Sequence, residues 1–231
     1  MRQRLYLISV TILLSALCSK ASTCTNGTLA SYIGLRSGGC TIGTNTLYDF
    51  QTISGTSGAT PISTTEVAIS PLGGSFNPGI TASVDLTAGA NIQLEALFTY
   101  RIAGTAYVSD SVTLAGSSET GDGAVTDVQN FCAGGIFGSD GVTGCTGSAG
   151  SLLTLDGIQN QDSTAFGPAS LLSVTDDFTF DGGLAGSASG GTITDRFSAV
   201  PEPFSYLLTD LGLALGLGAI LTSDRRNRRK L

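Results

Sequence analysis

The sequence predicts an all-β domain, an antiparallel β-sandwich of the immunoglobulin-like or jelly-roll kind. Three observations lead there: short runs of alternating apolar and polar residues, turn residues between them, and no long helical period away from the chain ends. The clearest run is 91–103. Ile92, Leu94, Ala96, Phe98, Tyr100 and Ile102 share one face, and Gln93, Glu95, Thr99 and Arg101 the other. Runs of the same period occupy 45–53, 65–70, 80–86, 107–116, 124–132, 151–158, 171–180 and 192–199. The turn residues fall between them, at Gly55 to Gly58, Pro71 to Gly74, Asn77-Pro78-Gly79, Gly121 to Gly123 and Asp181-Gly182-Gly183. About nine strands at this spacing fit a sandwich. No internal repeat of fixed period appears, which argues against a solenoid or propeller.

The strand pattern spans residues 22–199, roughly 180 residues, which is enough for one domain with a real core and too few for two. Glycine is about twice as frequent as usual, as short strands joined by tight turns require. Charge is unevenly placed. Of 11 Lys and Arg, eight sit near the ends: Arg2, Arg4, Lys20, Arg225, Arg226, Arg228, Arg229 and Lys230. Between Ala21 and Phe204 only Arg36, Arg101 and Arg196 face sixteen Asp and Glu, a net charge of −13. Such a surface repels nucleic acid and anionic lipid, so nucleic acid is excluded as a partner, while cations and neutral polymers are admitted.

Cys18 lies in the apolar leader. The other four cysteines, Cys24, Cys40, Cys132 and Cys145, are even in number and read as disulfides in an exported chain. They allow three connectivities, of which local pairing of Cys24 with Cys40 and Cys132 with Cys145 is the expected one. A zinc site is not expected, because there is no Cys-x-x-Cys and no histidine.

Both ends carry addresses. Arg2 and Arg4 precede an apolar stretch from Leu5 to Leu17, followed by Ser19-Lys20-Ala21. That order matches a secretory signal peptide over residues 1–21, with cleavage by signal peptidase after Ala21. An uncleaved anchor fits less well, and Leu17 before Cys18 argues against a lipoprotein. At the other end, residues 200–231 hold Val200-Pro201-Glu202-Pro203, an apolar stretch from Phe204 to Thr222, and the cluster Arg225, Arg226, Arg228, Arg229 and Lys230. Proline cannot continue a strand ladder or sit inside a helix, so the Pro-Glu-Pro segment reads as an extended hinge. The apolar stretch is long enough to cross a bilayer as a single helix, about 28 Å at 1.5 Å per residue. The basic cluster then acts as a stop-transfer signal and keeps the tail in the cytoplasm. Asp210 and three glycines weaken that helix.

This three-part tail resembles the PEP-CTERM sorting signal of Gram-negative bacteria that make extracellular polysaccharide. The resemblance implies recognition of Pro201, Glu202 and Pro203 by the membrane protease-transpeptidase exosortase, with processing nearby. The product would reach the cell surface or extracellular matrix, held by the membrane helix before processing. Phe204 departs from the small residue usual after the motif, as Asp210 departs within the helix. The start of the mature chain is similar to that of many proteins of this group: Cys24, Gly27, Tyr32 and Leu35, then Gly39, Cys40 and Gly43, then Tyr48-Asp49-Phe50. That likeness favours Cys24 pairing with Cys40.

The residue inventory excludes most hydrolytic chemistry. Without histidine, and without lysine between the ends, Ser-His-Asp, Cys-His and Ser-Lys arrangements are ruled out. No Gly-x-Ser-x-Gly elbow is present. A carboxylate pair for glycoside hydrolysis remains conceivable, but the chain is read as non-enzymatic and without cofactor. Asp122, Asp127, Asp140, Asp156, Asp176, Asp177 and Asp181 lie at strand ends or in Gly-rich turns, where they could gather around calcium. Their plainer role is turn formation and solubility, and no metal site is assigned. Tyr32, Tyr48, Phe76, Tyr100, Tyr107, Phe131, Phe137 and Phe166 are the aromatics that could stack on sugars, though at strand spacing most belong in a core. The expected function is that of an exported surface or matrix protein associated with exopolysaccharide or biofilm. A carbohydrate- or calcium-binding adhesin module with a defined site is the alternative.

Overall fold

A computed structural model describes residues 21–55 and 58–200. The leader, the Pro201-Glu202-Pro203 motif, the apolar stretch and the basic cluster lie outside the described residues. Thirteen strands join in one hydrogen-bonded sheet: β1 (Ser22–Thr23), β2 (Gly27–Thr28), β3 (Cys40–Ile42), β4 (Asn45–Thr52), β5 (Thr60–Pro61), β6 (Val67–Leu72), β7 (Gly79–Ala88), β8 (Gln93–Ala115), β9 (Ser118–Thr120), β10 (Ala124–Ala133), β11 (Ser148–Leu155), β12 (Gln161–Asp181) and β13 (Ser187–Ala199). One short helix, α1 (Leu29–Gly34), follows β2. With 63% of the described residues in strands the domain is all-β.

Each run of alternating residues has become a strand, but two runs have merged. Residues 91–103 and 107–116 are parts of the single long strand β8. Gly104 marks the join, because a side chain there would press within 2.4 Å of the Asn45 amide oxygen. Asn45 is fully buried. It donates to the Ile42 and Ser75 carbonyls at 3.3 and 3.2 Å and accepts from the Tyr107 hydroxyl at 2.8 Å. Strand β12 runs antiparallel to β8 along its length, with irregularities between Ala165 and Ala169 and between Ala169 and Leu171. Pro168 sits there, where a residue with no N–H to give the ladder is tolerated.

These two long strands explain why the sheet is continuous rather than split into two separately bonded layers. The first part of β8 and the last part of β12 belong to a half ordered β1-β3-β4-β8-β12-β10-β11. The second part of β8 and the first part of β12 belong to a half ordered β2-β6-β7-β13-β8-β12. Most pairings are antiparallel, as expected, but β1 with β3 and β5 with β8 are parallel.

The sheet curls until its halves face one another across the core. Aromatic rings run through that core: Tyr32 meets Phe50 at 5.0 Å, Phe50 stacks on Tyr100 at 5.1 Å, and Phe197 of β13 meets Tyr100 and Tyr107 at 6.4 and 6.1 Å. Burying each such ring contributes about 1.5–3 kcal/mol, so this line of contacts helps to hold the halves together. Helix α1 closes one end. Its Thr28 hydroxyl accepts from the Ser31 amide while the Ser31 hydroxyl accepts from the Thr28 amide, a complete capping box. Its Leu29 and Tyr32 are buried.

Two disulfides form, Cys24 with Cys40 and Cys132 with Cys145, the local pairing. Such bonds belong to an oxidising compartment. No helix among the described residues is long and apolar enough to cross a membrane.

Candidate functional site

The alternation that turns Phe98, Tyr100 and Val174 inward turns Leu97, Thr99, Arg101, Ser173, Thr175 and Asp177 to the opposite face. Asp49 and Gln51 of β4 and Asn130 of β10 extend that outward face. The segment Ile53 to Gly55 rises on one side of it. The β10–β11 connection folds back on the other, bringing Phe137 through Val142 over the sheet. The result is an open cleft of about 970 Å³.

The loop wall is built, not merely draped. The Cys132–Cys145 disulfide closes its base. Gly138 N–H donates to the Thr143 carbonyl at 2.8 Å, and Thr146 N–H to the Ile136 carbonyl at 3.1 Å. Asp140 accepts from the amides of Val142 and Thr143 and from the Thr143 hydroxyl. The Thr143 hydroxyl and the two amides hold the Asp140 carboxyl below its usual range. The Thr175 hydroxyl donates to the Gly141 carbonyl and seats the loop on the floor. Gly141 has φ of 71°, and a Cβ there would lie 2.1 Å from the Ile53 side chain, so only glycine lets the wall approach this closely.

The floor is polar. Arg101 pairs with Asp49 at 2.8 Å, with side chains 30% and 22% exposed. Asp49 lies where β4 slips register between Tyr48 and Gln51, and its φ is 54°. Phe137 is the one aromatic lining the cleft among the described residues, and it is mostly buried. Apolar side chains, among them Ile53, Leu97 and Val142, share the lining about equally with hydroxyl, amide, guanidinium and carboxylate groups.

A second polar group lies behind this floor, sealed inside the curl. Asp127 and Gln129 of β10, Asp176 of β12, Asp110 of β8, Asp195 of β13 and Thr154 of β11 are all fully buried. The Tyr100 hydroxyl donates to Asp195 at 2.8 Å. Asp176 and Gln129 flank the same carboxyl, but neither makes a well-aligned bond, and the oxygens of Asp110 and Asp127 have no partner either. Burial pushes Asp195 up to about 7, opposed by the Tyr100 hydrogen bond and then by nearby Asp176 and Gln129. Burial first, and then the Asp195 charge, drives Asp110, Asp127 and Asp176 well above the usual carboxylate range. Among the described residues no group of three or more acids or cysteines is arranged to hold a metal ion.

No family model and no curated protein matches this chain. Two solved structures show a distant likeness. A glycosylation-associated protein complex (Gap123) from Streptococcus agalactiae aligns at 13% identity and a TM-score of 0.25, over 52% of this chain and 20% of that one. TmCBM61 in complex with β-1,4-galactotriose aligns at 10% identity and a TM-score of 0.21, over 56% of this chain and 68% of that one. This chain thus spans about a fifth of the first. Likenesses this remote carry no argument about ligand or mechanism.

The residues singled out in the sequence divide clearly. Asp122 accepts from the amides of Leu184 and Ala185, which hold its carboxyl low. Asp140, Asp156 and Asp181 likewise receive nearby backbone amides. These four do the work of turn formation. Asp177 alone of the seven reaches the cleft floor, and Asp127 and Asp176 enter the sealed cluster. Of the aromatics, Tyr32, Tyr100, Tyr107, Phe131 and Phe137 are buried, and Phe76 is 53% exposed away from the cleft. Sequence reasoning missed Asn130, Ser173 and Thr175 on the floor and Asp110 and Asp195 in the interior. The interior acids carried a signal, since each falls in phase with the apolar residues of its strand. The floor carried none without knowledge of which strands pair.

Proposed function

We propose that this chain is an exported, non-enzymatic surface or matrix protein whose β domain holds extracellular polysaccharide in the cleft between the disulfide-closed loop and the segment after β4. The observation that carries the reading is the floor itself: adjacent strands present Thr99, Arg101, Asn130 and Asp177 along one open groove, with Ser173 and Thr175 buried beneath the loop. A row of donors and acceptors at strand spacing, about 4.8 Å from strand to strand, is commensurate with the hydroxyls of successive sugar units. The negative charge of the domain favours neutral or cationic polymers over anionic ones.

Export is supported by the leader and the two disulfides. Sorting through Pro201, Glu202 and Pro203 by exosortase belongs to this proposal on the strength of the tail's three-part order. The two-faced curl serves as the sandwich scaffold expected of such a domain. Binding of the full chain to an array of neutral and cationic glycans tests the reading. Saturable binding to at least one polymer supports it, and a blank array together with no retention on extracellular matrix refutes it.

A further inference from the structure

We propose that Asp110, Asp127, Asp176 and Asp195 form a pH-sensitive latch between the halves of the curled sheet, which stay packed while the carboxyls are protonated and loosen as the protons leave. Asp127 and Asp176 come from the half built on β10 and β12, and Asp195 and Asp110 from the half built on β13 and the second part of β8. All four are fully buried, so none can ionise into water. No basic side chain stands by to balance them. Arg101 pairs with Asp49 on the outer face, and Arg36 and Arg196 are exposed. The groups facing the cluster are the Tyr100 hydroxyl from β8, Gln129 from β10 and Thr154 from β11, with Asp177 on the far side of β12 adding a further negative charge toward Asp127. From β7 come only apolar side chains, Ile80, Ala82 and Val84.

Such a cluster is tolerable only if most of its carboxyls carry protons. Asp195, which accepts from the Tyr100 hydroxyl, lies on one half, and Asp176 on the other, with no aligned hydrogen bond on the Asp176 carboxyl. The sign of the linkage follows. The folded chain retains protons that the unfolded chain gives up near the ordinary carboxylate value of about 4, so stability is greatest in acid and falls as pH rises through 7. The same strands carry Asn130, Thr175 and Asp177 on their outer side, so the cleft floor moves with the latch.

The test is thermal unfolding of the full chain between pH 5 and 9, at constant ionic strength with a chelator. With no histidine in the chain, the ordinary groups that titrate in that interval are the Cys18 thiol and the α-amino group, so the melts are made on Cys18→Ser chains and the part of the slope that the asparagine variants remove reports the cluster. The midpoint should fall by on the order of 10 °C from pH 5 to 9, and the quadruple variant D110N/D127N/D176N/D195N should be nearly flat. Should that variant fail to fold, the single variants D110N and D127N should each flatten the slope. A wild-type midpoint that stays level or rises, or a slope untouched by the asparagine variants, overturns the proposal. So does millimolar calcium that restores the alkaline midpoint of the wild type but not of D176N, which would make the cluster a cation site.

Discussion

Asp176 and Asp177 are consecutive in β12 and point to opposite sides of the same sheet: Asp176 is fully buried in the interior acid cluster, and Asp177 lines the cleft. The two proposed roles thus sit back to back on one strand, separated only by the pleat. This makes the neighbours a natural control for each other. Asp177→Asn should weaken polysaccharide binding several-fold and reduce the pH dependence of stability only slightly, by removing its charge from near Asp127. Asp176→Asn should flatten that dependence between pH 5 and 9 and leave binding at pH 5 unchanged. Parallel titrations and melts of the two variants decide it.

The Cys132–Cys145 bond closes a loop over the cleft, whereas Cys24–Cys40 ties the start of the chain. Replacing either pair by serine should cost about 3 kcal/mol through the freed unfolded chain. Only the Cys132→Ser/Cys145→Ser variant should also lose affinity for the polymer. Denaturant unfolding combined with binding measurements separates the two losses.

Gly141→Ala places a methyl group against Ile53 and on a left-handed backbone. Strain of this kind costs about 1–3 kcal/mol, and here the loop can relieve it by lifting from the floor. The expected result is a modest loss of stability with a larger loss of binding, read by melting temperature against affinity.

Tyr100→Phe removes the hydrogen bond to Asp195 without disturbing the stacked rings. A buried bond of this type is worth about 1–2 kcal/mol. Asp195 would then lose a donor that steadies its charged form, so its carboxyl should rise from about 7 and the decline in stability with pH should steepen. Melting curves at pH 5 and 8 measure both effects.

The sorting proposal makes its own prediction. Protein recovered from its native host should begin near Ser22 and end near Pro201, as intact mass and peptide sequencing will show. A product that keeps the apolar stretch and Arg225 to Lys230 would mean a simple membrane anchor and no exosortase processing.

The strand content was legible because apolar alternation is a local property. Phe98, Tyr100 and Ile102 announce an inward face without reference to any other strand. The merger of two runs into β8 was hidden, because Gly104 reads locally as a break. Its lack of a side chain leaves room for Asn45, far away in the chain, beside the continuing strand. The disulfide loop was legible as a pair of cysteines, but its position over the floor depends on Gly141 meeting Ile53. The cleft residues were the least readable. Thr99, Asn130 and Thr175 are ordinary outward positions until β8, β12 and β10 are placed side by side. The interior acids could have been read more sharply. Val125, Asp127, Gln129 and Phe131 share one face of β10, and so do Ile193, Asp195 and Phe197 on β13, so a polar residue in apolar phase was there to be noticed.

Affinity of the full chain for its glycan, measured for the wild type and for the cleft variant Asn130→Ala/Asp177→Asn at equal melting temperature, bears most directly on the claim that the cleft holds extracellular polysaccharide. Saturable binding by the wild type and at least a tenfold weaker binding by the variant is the predicted result. Equal binding by the two, or none by either across neutral and cationic glycans, would contradict it.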